Sequence, residues 1–212
     1  MADLLDVLTL AEAKETLRIE TVDTTDDVLL ARYVTTVSRN LDKAIGPVVA
    51  RAVTGETHDG CRGAIILRHR PIMAVGSLVE YTGTAPTTLT QMTVTSHPAD
   101  GYRLEPYDPT PGLYSGIVVR TFTGRTGRFP YGSGNVVCTY TAGRAASTTS
   151  VDARYKHAAA ICLENLWRDR QQTTGQFDEY NVPIANFPTF ALPRAAAELL
   201  SDELGQDEPW GF

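Results

Sequence analysis

Val136-Val137-Cys138-Thr139-Tyr140-Thr141 sets Val136, Cys138 and Tyr140 on one side of an extended chain and Val137, Thr139 and Thr141 on the other. Side chains alternate across a strand with period two. The stretch therefore reads as a strand with one apolar face and one face mostly of threonine, as in antiparallel hairpins with one buried side. Working outward, residues 48–143 keep this character: rich in Val, Ile, Thr and Tyr, and cut by Gly and Pro. Strand-like runs are Val48–Thr57, Ala64–Arg68, Val75–Tyr81, Thr90–Thr95, Tyr102–Glu105, Ser115–Thr123 and Asn135–Thr141. Asp100-Gly101 reads as a hairpin turn. Gly83–Pro86, Pro111-Gly112 and Gly124–Gly134 read as loops.

Both flanks change period. Thr9 and Glu12 form the T-x-x-E pattern of a capping box ahead of a short helix reaching about Arg18. After a break at 21–25, Leu30, Val34, Val37, Leu41 and Ile45 recur at steps of three and four, the face of a second helix. Thr24 and Asp27 suggest its cap, and Gly46-Pro47 stops it. On the far side, Ser150 is placed to cap a long helix running to about Arg170 or Gln172. Val151, Tyr155, Ala158, Cys162 and Leu166 form one stripe, and Ala160, Leu163 and Trp167 another. Pro193 opens a last short helix through Ala195–Leu204. An apolar helix face must be covered, and pairing the two helical ends is the simplest cover. The expected fold is α+β: a helical core of two N-terminal helices plus a long C-terminal helix, with an inserted antiparallel β subdomain and an extended C-terminal arm. The expected boundaries are 1–47, 48–145, 146–175 and 176–212.

The chain has 212 residues, 42% hydrophobic and 21% charged, close to ordinary globular usage. No apolar run is long enough to span a bilayer, and the acidic start Met1–Asp6 does not read as a signal peptide. The formal net charge of −6 argues against a chain built to grip nucleic acid. The charge is uneven: −4 over 1–46, +3 over 47–145 and −5 over 146–212, with Arg supplying every base of the middle block. Cys61, Cys138 and Cys162 form no C-x-x-C pair, so neither a zinc site nor a disulfide framework is indicated. Free cysteines fit a reducing cytoplasm.

Catalytic patterns are weak. Ser133 in Gly132-Ser133-Gly134 lacks the G-x-S-x-G spacing of a nucleophile elbow and precedes a strand rather than a helix. The same glycines lack the Lys and following helix of a phosphate loop. His58, His69, His97 and His157 form no H-x-H or H-x-x-x-H pair, and His58-Asp59 is the nearest thing to a metal pair. The acids cluster where solvation explains them. No catalytic residue, cofactor or metal is expected. Six of seventeen aromatics fall in residues 177–212, namely Phe177, Tyr180, Phe187, Phe190, Trp210 and Phe212, interleaved with prolines. Two readings stay open for this segment: an arm that docks on another protein, since aromatics are common interface anchors, or a strap over the chain's own core.

Five stretches in order carry a resemblance: Leu8–Ile19; Asp26–Tyr33 with its continuation to Gly46; Leu67–Ile72 leading into Val75–Tyr81; Tyr131–Gly143; and Lys156–Gln171 with Asn165-Leu166-Trp167-Arg168. Phe190-Ala191-Leu192-Pro193-Arg194 adds a sixth, similar to the C-terminal pattern of actinobacteriophage members. The chain resembles the head-to-tail connector (adaptor) proteins of long-tailed bacteriophages. The resemblance implies a structural virion protein, not an enzyme. It implies a ring, typically of twelve copies, that sits under the portal, joins capsid to tail and continues the DNA channel. The implied partners are further copies of the chain, the portal protein and the next tail-side neck protein. DNA would pass without sequence-specific binding, and no membrane is involved. An acidic balance suits such a channel, because basic contacts would hold the passing phosphates. The portal contact implied for the C-terminal segment falls on Phe187, Phe190, Leu192, Leu199, Trp210 and Phe212. The rivals are a head-closure or tail-terminator protein of the same neck and, in a different class, a small β-domain carbohydrate-binding module or hydrolase.

Overall fold

The computed structural model describes residues 3–107, 112–174 and 192–204. The chain divides into two compact units, Met1–Val49 with Ala145–Phe212, and Ala50–Arg144.

The first unit is helical. Its elements are α1 (Leu10–Thr16), α2 (Asp27–Ile45), α3 (Ala153–Thr174) and α4 (Arg194–Leu199). The capping box forms as the sequence suggests: Glu12 N–H donates to Thr9 Oγ1 at 3.2 Å, and Thr9 N–H donates to Glu12 Oε2 at 2.8 Å. Two orphan amides at the helix start are thereby satisfied. Leu30, Val34, Val37, Leu41 and Ile45 of α2 are all buried, and pack with Val7, Leu8, Ala13, Tyr155, Ala158, Ala159, Leu163, Ala196 and Leu200 into one apolar cluster. Each large side chain so buried stabilises by roughly 1.5–3 kcal/mol. Other caps differ from expectation. Asp26, not Thr24, precedes α2, and its carboxylate pairs with Arg170 at 3.1 Å instead of capping. Ser150 ends a 3-10 turn over Thr148–Ser150. The start of α3 falls to Asp152, whose Oδ1 accepts from Arg154 N–H at 2.8 Å.

The second unit holds β1 (Arg51–His58), β2 (Ala64–Ile66), β3 (Ile72–Thr82), β4 (Ala85–Thr88), β5 (Thr90–Gln91), β6 (Asp100–Pro106), β7 (Tyr114–Phe122), β8 (Arg125–Thr126) and β9 (Val136–Ala142). They form a single nine-stranded sheet in the order β1-β9-β3-β7-β6-β5, with β4 on β3 and both β2 and β8 on β7. The decisive stretch is a central strand: β9 lies between β1 and β3, and Val136, Cys138, Tyr140 and Ala142 alternate into the interior.

The expected architecture needs correction. The chain is not a helical core carrying an inserted antiparallel β subdomain. A large mixed sheet with only a few helices dominates it. The sheet has its own core of Ile65, Leu67, Ile72, Leu78, Tyr102, Val118, Phe129 and Tyr140, and its β5–β6 pair is parallel. Three local signals explain the strands that the sequence hides. Gly83–Pro86 reads as a loop, yet Ala85 and Pro86 begin β4, which pairs with β3 alone, an edge position that tolerates proline. Arg125–Thr126 is hidden in a glycine-rich run. Asp100-Gly101 lies inside β6 rather than in a turn. A Cβ at Gly101 would stand 2.7 Å from a Pro98 side-chain carbon and 2.9 Å from Thr121 Oγ1, so glycine serves close approach there. The described part of the expected arm, 192–204, packs on the helical cluster rather than extending.

Candidate functional site

Residues flagged by sequence for chemistry are tied into structural roles. Ser133 Oγ donates to Asp59 Oδ1 at 2.7 Å, and Gly134 N–H donates to the same oxygen at 2.7 Å. The two bonds hold Asp59 below the usual carboxylate range and brace the glycine-rich turn. Gly60 sits beside it, where a Cβ would lie 1.8 Å from the Pro130 carbonyl oxygen. His58 does not pair with Asp59. Its Nε2 lies 2.7 Å from Glu56 Oε1. Among the described residues, no group of three His, Cys, Asp or Glu could hold a metal ion. His157 is exposed on α3. Burial pushes the Cys138 thiol up to about 12 and the Cys162 thiol up to about 11, so neither supplies a thiolate near neutral pH. Cys61 is exposed and free.

Two buried polar clusters in the sheet were not anticipated from the sequence. In the first, a register shift between Val53 and Glu56, with Gly55 at φ 66°, turns Glu56 inward. Glu56 Oε2 accepts from Tyr140 Oη at 2.7 Å, Glu56 Oε1 accepts from Arg68 N–H at 2.9 Å, and His69 N–H donates to Tyr140 Oη at 3.1 Å. Burial alone would raise the Glu56 carboxyl. The hydrogen bonds from Tyr140 and Arg68, with the nearby His58, outweigh it and hold the group below its ordinary value. In the second cluster, the Arg120 guanidinium forks onto Glu80, Nε to Oε2 at 2.9 Å and Nη2 to Oε1 at 2.7 Å. It also reaches Asp100 Oδ1 at 2.7 Å and the Gly101 carbonyl at 3.2 Å. This links β3, β6 and β7. An arginine in the apolar register of Val118-Val119-Arg120 was the available signal.

The C-terminal candidates separate. Leu192 and Leu199 pack, half-buried, against the helical cluster, while Ala196 and Leu200 have no exposed surface. Arg154 on α3 clasps the segment. Its Nη1 lies 2.6 Å from Asp202 Oδ2 and its Nη2 2.5 Å from Glu203 Oε1, and the Tyr155 hydroxyl also donates to Glu203. Residues 192–204 are thus a strap on their own unit. Phe187, Phe190, Trp210 and Phe212 lie outside the described residues. Within the described part, Leu4, Val22 and Val28 of the helical unit stand exposed, as do Val94, Phe122 and Tyr131 of the sheet unit. Tyr102 is buried in the core of the sheet unit.

No family model matches the chain, and no curated protein matches it. Among solved structures, it is similar to a chain from the neck of an empty GTA particle computed with C6 symmetry. The identity is 17%, the match covers 92% of this chain and 88% of that one, and the TM-score is 0.49. No helix among the described residues is long and apolar enough to cross a membrane.

Proposed function

We propose that the chain is a structural protein of a bacteriophage neck, a head-to-tail adaptor. Copies would form an oligomeric ring below the portal, join capsid to tail and continue the DNA channel. One observation carries the reading: the stretches that resemble the adaptor family fall, in order, on the elements that build the two units. Leu8–Ile19 spans α1, Asp26–Gly46 spans α2, Leu67–Tyr81 leads through β3, Tyr131–Gly143 spans β9, Lys156–Gln171 lies on α3, and Phe190–Arg194 leads into α4.

The working parts are surfaces rather than a catalytic pocket. A ring needs each subunit to present one flank to the opposite flank of the next, a heterologous contact that closes by rotation. Attachment of the ring to the portal would add many weak contacts in parallel, so that each arm needs only modest affinity. On this reading the portal contact falls on Phe187, Phe190, Leu192, Leu199, Trp210 and Phe212, of which Leu192 and Leu199 are half-buried against the helical cluster.

A second reading draws on the size of the sheet. Head-closure and tail-terminator proteins tend to be more uniformly β, so a nine-stranded sheet favours another station of the same neck. Negative-stain imaging of the purified chain, alone and mixed with a portal ring from the same source, separates the two. The adaptor reading expects a new layer directly on the portal. A layer that forms only on a portal already carrying another neck protein supports the second reading. A chain that forms no ring and ignores both overturns the two together.

A further inference from the structure

The two units carry opposite charge. Residues 50–144 hold nine Arg against six Asp and Glu, a net of +3, and the remainder of the chain has a net of −9. Within each unit the imbalance is local and sits beside exposed apolar side chains.

On the sheet unit, the β7–β8 hairpin and the 60–62 segment form one edge. Phe122 pairs in register with Arg125. Phe129 N–H donates to the Arg62 carbonyl, which sets Arg62 beside Arg128. Gly60 N–H donates to the Gly132 carbonyl, which brings Tyr131 alongside. Phe122 is 55% exposed and Tyr131 90%. Arg62, Arg125 and Arg128 are exposed, and among the described residues the side chains of Arg125 and Arg128 have no hydrogen bond or ion pair. Of the acids nearby, Asp59 is held by Ser133 and Gly134, and Asp100, in register with Phe122, is held by Arg120.

On the helical unit, the segment from the end of α1 to the start of α2 has the converse composition. Glu15, Glu20, Asp23, Asp26 and Asp27 stand against Arg18. Asp27 is matched by Lys14, and Asp26 by Arg170. Glu15 and Glu20 are exposed and, among the described residues, their carboxylates have no partner. Val22 is 81% and Val28 68% exposed beside them.

We propose that the sheet edge of Phe122, Arg125, Arg128, Arg62 and Tyr131 is a docking surface for a second copy of this chain. The occupant is that copy's α1–α2 segment, with Glu15 and Glu20 facing the arginines and Val22 and Val28 covering the aromatics. The contact is heterologous, joining two different surfaces, and therefore propagates around a ring. Arg suits it because its planar fork pairs with carboxylates and its stem covers apolar surface. Charge at such a rim steers encounter and sets register, and its strength falls with added salt. The inference rests on the ring reading above.

The test uses full-length chains and two surface variants, R125E/R128E and E15R/E20R, with the four changes also combined in one chain. Circular dichroism confirms folding of each. Ring assembly, alone and on portal, is read by sedimentation velocity and negative stain at about 0.15 M salt. Each double variant is expected to assemble at least ~10-fold less well, since like charges then face each other. The combined chain is expected to recover to within ~3-fold, because the reversed surfaces again match. Folded variants that assemble like the parent chain, or a combined chain that recovers nothing, overturn the docking surface and leave the neck reading standing. A parent chain that forms no ring under any of these conditions overturns the neck reading and this inference with it.

Discussion

The two units differ in what their charged side chains join. The helical unit keeps its ion pairs at the ends and rims of helices: Lys156 with Glu12, Arg170 with Asp26, and Arg154 with Asp202 and Glu203. Its apolar cluster runs from Leu30 through Leu41 to Leu163, and its buried polar side chains, Asp6, Lys14, Ser38 and Glu203, lie in the N-terminal segment, on α1 and α2, and after α4. The sheet unit buries Glu56, Glu80 and Arg120 where they tie one strand to another. A buried ion pair is weak evidence for stability, because desolvation offsets most of the attraction. A one-residue slip of a strand, however, turns every side chain to the other face. A forked Arg120–Glu80 pair is satisfied in one register only. The sheet thus spends polar burial on alignment, where the helices rely on volume and spacing.

The sharpest way to break this comparison is Arg120→Ala. It leaves Glu80 buried without its partner, and a loss of about 3–5 kcal/mol is expected. The paired change Arg120→Met with Glu80→Leu removes both charges and should cost far less or even stabilise. Asp100, half-exposed at its side chain, can turn to water in either case. Urea denaturation followed by NMR signals from each unit checks the prediction. If the paired change costs as much as the single one, the cluster sets stability rather than alignment. The helical counterpart is Leu200→Ala, which opens a void beside Ala196 and Leu163 in the apolar cluster. About 2–4 kcal/mol is expected, with loss of amide protection in α3 and α4 but not in β9.

Acid should set two buried carboxyls against each other. Hydrogen bonds hold Glu56 below its ordinary value of 4.5 despite burial. As pH falls, the unfolded chain takes up that proton first. Its stabilisation is therefore full above about 4.5 and is lost as pH drops through the lowered folded value. Asp6, between the N-terminal segment and α2, is raised from 3.8, chiefly by burial, against the hydrogen bonds from Thr35 Oγ1 and Asp3 N–H. Its sign is opposite: the contribution is present below about 3.8 and is lost as pH rises through the raised value. Glu12, lowered by Lys156 and Thr9 against burial, runs with Glu56. Glu56→Gln should flatten the acid limb of the sheet unit, and Asp6→Asn should raise helical stability near neutral pH relative to acid. Urea midpoints of each unit from pH 3 to 7 read both. An unchanged sheet limb in Glu56→Gln would sink the role given to its hydrogen bonds.

The same contrast explains what could be read from the sequence. Apolar spacing reveals the α2 stripe and the alternation of β9, and the T-x-x-E pattern reveals the cap at Thr9. The helix starts at Asp26 and Asp152 are not legible because Thr24 and Ser150 offer equally good local chemistry; Asp26 pairs with Arg170, and Ser150 is taken up by a 3-10 turn. The extent of the sheet was hidden where glycine and proline served close approach or an edge rather than a turn, at Gly101 and Pro86. The polar clusters were not legible either. Glu56 and Tyr140, or Glu80 and Arg120, are far apart in sequence and meet only through register. At Leu192 and Leu199 the pattern, apolar positions at a short helix, fits a partner contact and packing on the chain's own unit equally well, and both residues are half-buried.

The smallest effect tests the helical side alone. Thr9→Ala removes the acceptor for Glu12 N–H and one partner of the Glu12 carboxylate. N-cap losses of this kind cost about 1 kcal/mol. Glu12 would keep its ion pair to Lys156 on α3, so the damage should stay at the first turn of α1. Amide exchange should quicken at Ala11, Glu12 and Ala13, with α3 nearly unchanged and the sheet untouched. Lys156→Met in the same background separates the cap from the ion pair. If the two losses add, the cap and the bridge act independently, and the rim charges of the helical unit are separate fastenings. A combined loss smaller than the sum would mean that Glu12 is one shared joint between α1 and α3, closer in kind to the sheet's buried clusters than the rest of its unit.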